Sequence, residues 1–140
     1  MPALPPDEQR AMVAGARVAR LATLRPDGTA RLVPITFVLL DGLVCSAVDD
    51  VKPKRSPRLA RLDDVRHDPR AAVLVDSYVE EWAQLWWVRI DGSAEIHETG
   101  ELATLARAAL VDKYPQYAAA PPQGPVLTLT PTRWAGWTAS

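Results

Sequence analysis

A basic run, Lys52-Pro53-Lys54-Arg55, is the first feature of this 140-residue sequence that could do chemistry. Residues 52 to 70 contain seven Lys or Arg against three Asp, although the whole chain has a net charge of −1. Such a cluster beside a helix start suits a phosphate, because free backbone N–H groups and charge-assisted hydrogen bonds act on the same anion. The same pattern also suits a solvated helix face, so both interpretations stay open.

Tryptophan is the second such feature, with five Trp against three Tyr and one Phe. Trp86 and Trp87 are adjacent, and neighbouring side chains of a strand point to opposite faces. We therefore expect one of them to fill the core and the other to face a helix, a partner or a planar ligand. Trp134 and Trp137 are weaker candidates of the same kind.

Several common sites find no support in the sequence. His67 and His97 have no second ligand at a metal-binding spacing, so we predict structural roles for them and no metal. Cys45 is the single Cys, which excludes an internal disulfide, and we expect it to be a small buried hydrophobe. Neither a Gly-x-Ser-x-Gly motif nor a Gly-rich phosphate loop is present, so we predict no hydrolase triad and no Rossmann site.

The apolar pattern predicts a mainly β chain with short helices. Strands are expected at 18–24, 31–40, 43–48, 70–77, 86–97 and 126–130, and helices at 6–15, 58–65 and 99–113 with Thr99 as the last helix's N-cap. Asp-Gly pairs at 27–28, 41–42 and 91–92 predict tight turns, the third inside a long strand or hairpin. The first three strands should form an antiparallel meander.

The predicted strand 31–40 is apolar on both faces. A strand of this kind needs a helix or another subunit outside it, which favours a closed or split barrel with a dimer interface. Composition agrees with one globular domain over residues 1–140, since 48% of residues are hydrophobic and 24% are charged. With a net charge of −1, no signal peptide and no membrane-length apolar run, we expect a cytoplasmic protein that binds neither nucleic acid nor membrane.

Three segments together resemble the split β-barrels of the pyridoxamine-phosphate-oxidase-like family. They are Arg20-Leu21-Ala22-Thr23-Leu24 with Pro26-Asp27-Gly28 and Val33-Pro34-Ile35, then Lys52 to Arg55 with Asp68-Pro69-Arg70, then Leu85 to Ala94. The likeness runs from about residue 8 to residue 137 and is nearest to the small branch that uses the deazaflavin coenzyme F-420. It implies a split barrel of six or seven antiparallel strands, assembled as a homodimer with the cofactor at the subunit interface.

The resemblance also implies site residues. Lys52, Lys54 and Arg55 correspond to the phosphate clamp, and Arg31 lies where the oxidases have a phosphate-binding Arg. Val33, Pro34, Ile35 and Thr36 correspond to the strand whose backbone flanks the cofactor ring, and Trp86 and Trp87 are candidates for lining the groove. The flavin-using oxidases have a Lys where this chain has Thr36, and their C-terminal Arg-Leu-x-Pro element is absent. F-420 is therefore favoured over FMN, and a true pyridoxamine-phosphate oxidase is disfavoured.

The resulting expectation is an F-420-dependent oxidoreductase. A reduced deazaflavin gives a hydride to a small electron-poor acceptor while the protein supplies binding and orientation, so no catalytic side chain is predicted. An FMN-binding oxidoreductase of the same fold and a non-catalytic binder of flavin, deazaflavin or a haem-like ligand remain alternatives. An RNA-binding small barrel rests on residues 52–70 alone, which lack interleaved aromatic residues.

Overall fold

The computed structural model describes residues 3–48 and 59–140. These residues form seven strands: β1 Ala19–Leu24, β2 Ala30–Ile35, β3 Val38–Leu40, β4 Leu43–Ala47, β5 Arg70–Ser77, β6 Trp86–His97 and β7 Val126–Thr138. The α-helices within them are α1 Pro6–Gly15, α2 Ala60–His67, α3 Glu101–Lys113 and α4 Gln116–Ala119. A short 3-10 helix, Trp82–Gln84, precedes β6.

All seven strands belong to one antiparallel sheet in the order β2-β1-β5-β6-β7-β4-β3. β2 and β3 lie at opposite edges of that order, yet only Thr36 and Phe37 separate them along the chain. The sheet must therefore curl to bring its two edges together, which makes a half-barrel and confirms the predicted split β-barrel. Both antiparallel pairings of the predicted meander are present, β1 with β2 and β3 with β4, but its continuous middle strand is wrong, because the expected strand 31–40 breaks at Thr36 and its halves lie at opposite edges of the sheet.

The long pairing of β6 with β7 spans the middle of the sheet. Asp91 and Gly92 lie inside β6, where the register shifts by one residue against β7, so the third predicted tight turn is wrong and this site is a bulge. A Cβ on Gly92 would lie 2.2 Å from the Thr130 carbonyl oxygen. Gly is required there by the close approach of the neighbouring strand.

The first two predicted tight turns are confirmed, whereas one helix start and one strand end differ from the prediction. Gly28, Asp41 and Gly42 have positive φ values of 87°, 49° and 82°, as tight turns require. The third helix has Gly100 as its N-cap and not Thr99. The N-cap residue here has a φ of 102°, a backbone conformation that favours glycine. β7 continues eight residues past the predicted 126–130, because β6 provides a partner along its whole length.

Two apolar clusters fill the structure. The larger lies inside the curled sheet under α1 and α2, and its fully buried side chains include Val13, Leu21, Phe37 and Ile90. The smaller lies between α3 and the β4–β7 side of the sheet, with Cys45, Leu110 and Tyr117 among its members. Over residues 3–48 and 59–140, no helix is both long enough and apolar enough to cross a membrane.

Candidate functional site

The outer face of the sheet carries a row of side chains that crosses three strands. Arg20 on β1 lies opposite Leu74 on β5, and Leu74 lies opposite Arg89 on β6. In the next row, Asp76 lies opposite Trp87. Two guanidinium groups thus flank an apolar strip beside an indole ring, which is a combination that binds planar anionic ligands.

A cavity of about 560 Å³ opens over this row. Its lining includes both arginines of the row, Leu74, Trp87, Tyr78 and Leu32. Leu32 and Tyr78 are 70% and 65% exposed, respectively. A cavity of this size, mainly apolar with a few charged groups, has the dimensions of a ligand site, and its exposed apolar walls need a ligand or a partner to cover them.

A second cavity of about 490 Å³ adjoins the first and shares Arg20, Asp76 and Tyr78 with it. Its other lining residues include Gly15 at the end of α1, Val18, Val79 and Trp86. The two cavities lie side by side along β1 and the end of β5, and we call them together the outer groove.

The adjacent tryptophans take different places. Trp86 is half-buried and packs against the core inside the sheet, while Trp87 lines the outer cavity with the Arg89 guanidinium carbon 5.6 Å from its ring centre. This confirms the prediction that the pair divides between the core and an open face. Trp134 packs at the core edge, where the Arg10 guanidinium carbon lies 5.4 Å from its ring centre.

Arg31 lies on the other side of its strand from Leu32, against α2. Its Nε donates a hydrogen bond of 2.7 Å to Oδ2 of Asp64, which is 2% exposed. The Thr23 hydroxyl donates to the same oxygen at 2.8 Å. Burial would raise the pKa of the Asp64 carboxyl, but the hydrogen bonds from Arg31 and Thr23 and the Arg31 charge outweigh it and lower the pKa.

The remaining predicted residues of strand two alternate between the faces. Val33 is half-buried and Ile35 is buried, both on the core side, whereas Pro34 is exposed on the outer side. Thr36 lies just beyond the strand, and its hydroxyl is 2.7 Å from the Tyr117 hydroxyl of α4. The structure therefore places Thr36 against the helices, and it places Arg31 and Trp87 on opposite faces of the sheet.

The bend that follows Thr36 is held by the end of α3. The Lys113 ammonium donates to the Phe37 carbonyl oxygen at 2.9 Å and lies 4.0 Å from the centre of the Phe37 ring. The Tyr114 hydroxyl accepts from the Phe37 N–H at 3.1 Å. Burial, with a smaller contribution from the nearby Arg17 charge, lowers the pKa of Lys113 to about 8.

The basic run, His97 and Cys45 were also singled out in the sequence. Lys52, Lys54 and Arg55 lie outside the described residues. The Nε2 of His97 is 3.1 Å from the Thr128 hydroxyl, and among residues 3–48 and 59–140 no three His, Cys, Asp or Glu side chains group as metal ligands do. Cys45 is fully buried as predicted, and burial, with the Asp41 charge, raises the pKa of its thiol to about 11.

Sequence reasoning missed the arginines of the outer row, Asp64 and Lys113. Trp87 and Arg89 share a face by the two-residue period of a strand, so this part of the row was visible in the sequence. Arg20 and Leu74 join it only through the strand register. Asp64 is 33 residues from Arg31 and Lys113 is 76 from Phe37, so neither pairing has a local signal.

Comparison of the chain with known proteins identifies a sequence family and a shared fold. The sequence profile of the pyridoxamine 5'-phosphate oxidase family matches residues 5–138. No protein with a curated description matches the chain.

Similar solved structures include a conserved hypothetical protein from Mycobacterium tuberculosis, with a TM-score of 0.80 and 19% identity over 97% of this chain and 86% of the other. An FAD-binding protein from Mesorhizobium loti has a TM-score of 0.71 and 20% identity over 96% and 93% of the two chains. A haem-binding protein from Mycobacterium smegmatis has a TM-score of 0.72 and 24% identity over 97% of this chain and 60% of its own. At these identities the structures establish a shared fold.

Proposed function

The chain belongs to the pyridoxamine 5'-phosphate oxidase family, and on this premise we propose that it is an oxidoreductase that uses coenzyme F-420. The reduced deazaflavin supplies a hydride, which goes to a small electron-poor acceptor. The observation that carries the proposal is the outer groove, whose apolar floor, indole wall and two guanidinium groups fit a planar ring with an anionic side chain.

The roles of the chain's own residues follow from their places. Trp87 and Leu74 provide flat apolar surface for a ring, and Arg20 and Arg89 provide positive charge beside it. Arg31 lies on the other face of the sheet from Trp87 but on the edge strand β2, and with Lys52, Lys54 and Arg55 it is proposed to bind the phosphate of a cofactor side chain that passes around this edge. The backbone of residues 33–36 is proposed to flank the ring, with Trp86 at the groove end. No side chain is assigned as an acid or base.

The proposal includes a homodimer formed through the outer face. Leu32 and Tyr78, which line the same cavity, are 70% and 65% exposed, and large apolar side chains clustered on an open face are covered in stable assemblies. A second copy seated on this face would enclose the groove and exclude water from the ring.

The dimer is tested by sedimentation at tens of micromolar. The wild-type protein should sediment as a dimer, and Leu32→Glu should shift it towards monomer because a charge would be buried at the interface. Leu105→Glu, on the exposed face of α3, is the matched control and should stay dimeric. A wild-type monomer at these concentrations would contradict the shared groove.

Cofactor choice is tested by titrating the purified protein with F-420 and with FMN while Trp fluorescence is followed. F-420 should bind more tightly, and Trp87→Phe should remove most of the quenching whereas Trp134→Phe should not. FMN at full occupancy with no F-420 binding would reverse the cofactor assignment. Hydride transfer from reduced F-420 to trial acceptors then separates an enzyme from a binding protein.

Two alternatives have specific support. The FAD-binding protein from Mesorhizobium loti shares the fold at a TM-score of 0.71, which favours a flavin such as FMN in an oxidoreductase. The haem-binding protein from Mycobacterium smegmatis shares it at 0.72, which favours a binding protein without turnover. A titration of the protein with haemin, followed by absorbance, gives a third affinity. Together with the F-420 and FMN titrations it ranks the affinities of the three ligands.

A further inference from the structure

Asp64 is a buried carboxylate that has no role in the proposed function so far. It is 2% exposed, and a buried charge of this kind is retained when other groups satisfy it. Oδ2 accepts hydrogen bonds from the Thr23 hydroxyl at 2.8 Å and from Arg31 Nε at 2.7 Å. The carboxylate thus joins α2 to β1 and β2 at one point.

The pairing determines which nitrogens of Arg31 are left to bind something else. In the part of the chain that the structure describes, the bond from Nε to Asp64 is the one hydrogen bond of the Arg31 side chain. That side chain is 27% exposed. A guanidinium has five N–H donors in a planar fork, so engaging Nε orients the plane and leaves the terminal nitrogens without a hydrogen-bond partner among the described residues.

The neighbourhood of this pair in the sequence is strongly basic. Asp64 is four residues from Ala60, where α2 begins, and the run Lys52 to Arg55 precedes that helix. Arg31, on β2, therefore contacts α2, the helix that follows the basic run in the sequence. A fork oriented by a carboxylate suits a phosphate, since two parallel N–H bonds need a defined plane.

We propose that Asp64 is a positioning residue for anion binding, which holds Arg31 so that its terminal nitrogens bind the cofactor phosphate. This rests on the proposed function, because it assigns Arg31 to the phosphate of the same cofactor. Asp64 touches no cofactor itself. Asp64 orients the Arg31 guanidinium and partly neutralises its charge.

The test compares two ligands that differ in the phosphate. Wild type and Asp64→Asn are titrated with F-420 and with the same deazaflavin lacking its phosphate-bearing side chain, or with FMN and riboflavin if flavin binds more tightly. Asp64→Asn should weaken the phosphate-bearing ligand about tenfold, on the order seen when an outer partner of a binding group is lost, and leave the phosphate-free ligand unchanged. A merely structural role would weaken both equally.

A double-mutant cycle identifies Arg31 as the intermediary. Arg31→Ala should lower the preference for phosphate more than Asp64→Asn does, and adding Asp64→Asn to Arg31→Ala should change it no further. Asp68→Asn is the matched control, because Asp68 pairs with Arg70 at 2.7 Å at the other end of α2. It should leave the ratio of the two affinities at the wild-type value.

The outcomes separate this inference from its premise. If wild type binds neither deazaflavin nor flavin, the proposed function fails. If wild type binds the cofactor and Asp64→Asn keeps or increases the preference for phosphate, the positioning role is overturned and the proposed function stands. If Asp64→Asn does not fold, Thr23→Val replaces it, since it removes the second bond to the same oxygen and should lower the same ratio by a smaller factor.

Discussion

The two ends of β2 are attached to helices by different chemistry. Near its start, Arg31 forms an ion pair with a buried carboxylate of α2 at 2.7 Å. Just past its end, the Phe37 backbone is held by an ammonium and a phenol from the last turn of α3 and the residue after it. In the described residues no carboxylate pairs with Lys113, which lies against aromatic rings.

The two attachments differ in the number of hydrogen-bonding groups that hold the β2 end. The Phe37 carbonyl oxygen has two donors in reach, Lys113 Nζ at 2.9 Å and the Tyr114 hydroxyl at 3.0 Å, whose single proton is shared with the Arg17 carbonyl oxygen at 2.9 Å. Losing one of them leaves the other. At the start of β2 a single oxygen of Asp64 serves both Thr23 and Arg31, so one substitution affects both bonds. The Phe37 carbonyl oxygen therefore has a redundant donor, whereas the Phe37 N–H and the Asp64 ion pair each depend on one atom.

The largest effect on stability is expected from Tyr114→Phe, because this hydroxyl is the acceptor of the buried Phe37 N–H. The Phe37 N–H donates to this hydroxyl at 3.1 Å, and Phe37 is fully buried. Without the hydroxyl a buried N–H has no acceptor, so the free energy of unfolding should fall by about 2–3 kcal/mol. Urea denaturation at pH 7 measures it. A loss below about 0.5 kcal/mol would mean that another acceptor replaces the hydroxyl.

Asp64→Asn should have a smaller effect that depends on pH. We expect a loss of about 1–2 kcal/mol at pH 7, because the charge that strengthens the Arg31 bond is lost while Arg31 itself is partly solvated. The folded pKa of Asp64 is lowered, so its stabilisation is complete above the unfolded value of about 3.9 and is lost as pH falls through the folded value. Unfolding curves of wild type and variant should therefore converge in acid. A constant difference from pH 7 to pH 2 would contradict the assignment.

The smallest effect is expected from Lys113→Met, less than about 1 kcal/mol at pH 7, since Tyr114 still donates to Phe37. Its folded pKa of about 8 lies below the unfolded value of about 10.4, so the unfolded chain binds more protons between them. Wild type should gain stability relative to the variant as pH rises from about 8 to about 10.4.

The redundancy itself is measured by combining the two bend substitutions. In a Tyr114→Phe background the Phe37 carbonyl depends on Lys113, so Lys113→Met should cost more there than in wild type. Denaturation of the four proteins at pH 7 gives the coupling. Strictly additive losses would show that the two donors act independently.

Local signals explain why much of the fold was predictable. Pro6 with two acids predicted α1, Gly28 and Gly42 marked turns that need positive φ, and the apolar run 70–77 matched β5 residue for residue. Each of these features depends on dihedral preference or on side-chain period within a few residues. The same kind of reasoning placed Cys45 in the core and divided Trp86 from Trp87.

The failures occur where a partner strand decides. Asp91-Gly92 has the composition of a turn, yet β7 runs beside it without interruption and turns the pair into a bulge. Thr36 and Phe37 sit inside an unbroken apolar stretch, and only the helices packed against them show why the chain bends there. The two-residue period of a strand does not indicate where the chain leaves one edge of the sheet and joins the other.

The candidate site divides in the same way. By itself the sequence determined the residue types, namely a basic run, paired tryptophans and a strand apolar on both faces, because these depend on composition and spacing. Tertiary structure alone decided that Arg20, Leu74 and Arg89 form one row and that Arg31 meets Asp64. The reason is that strand register and helix docking depend on free energies summed over the whole core, which no short segment contains.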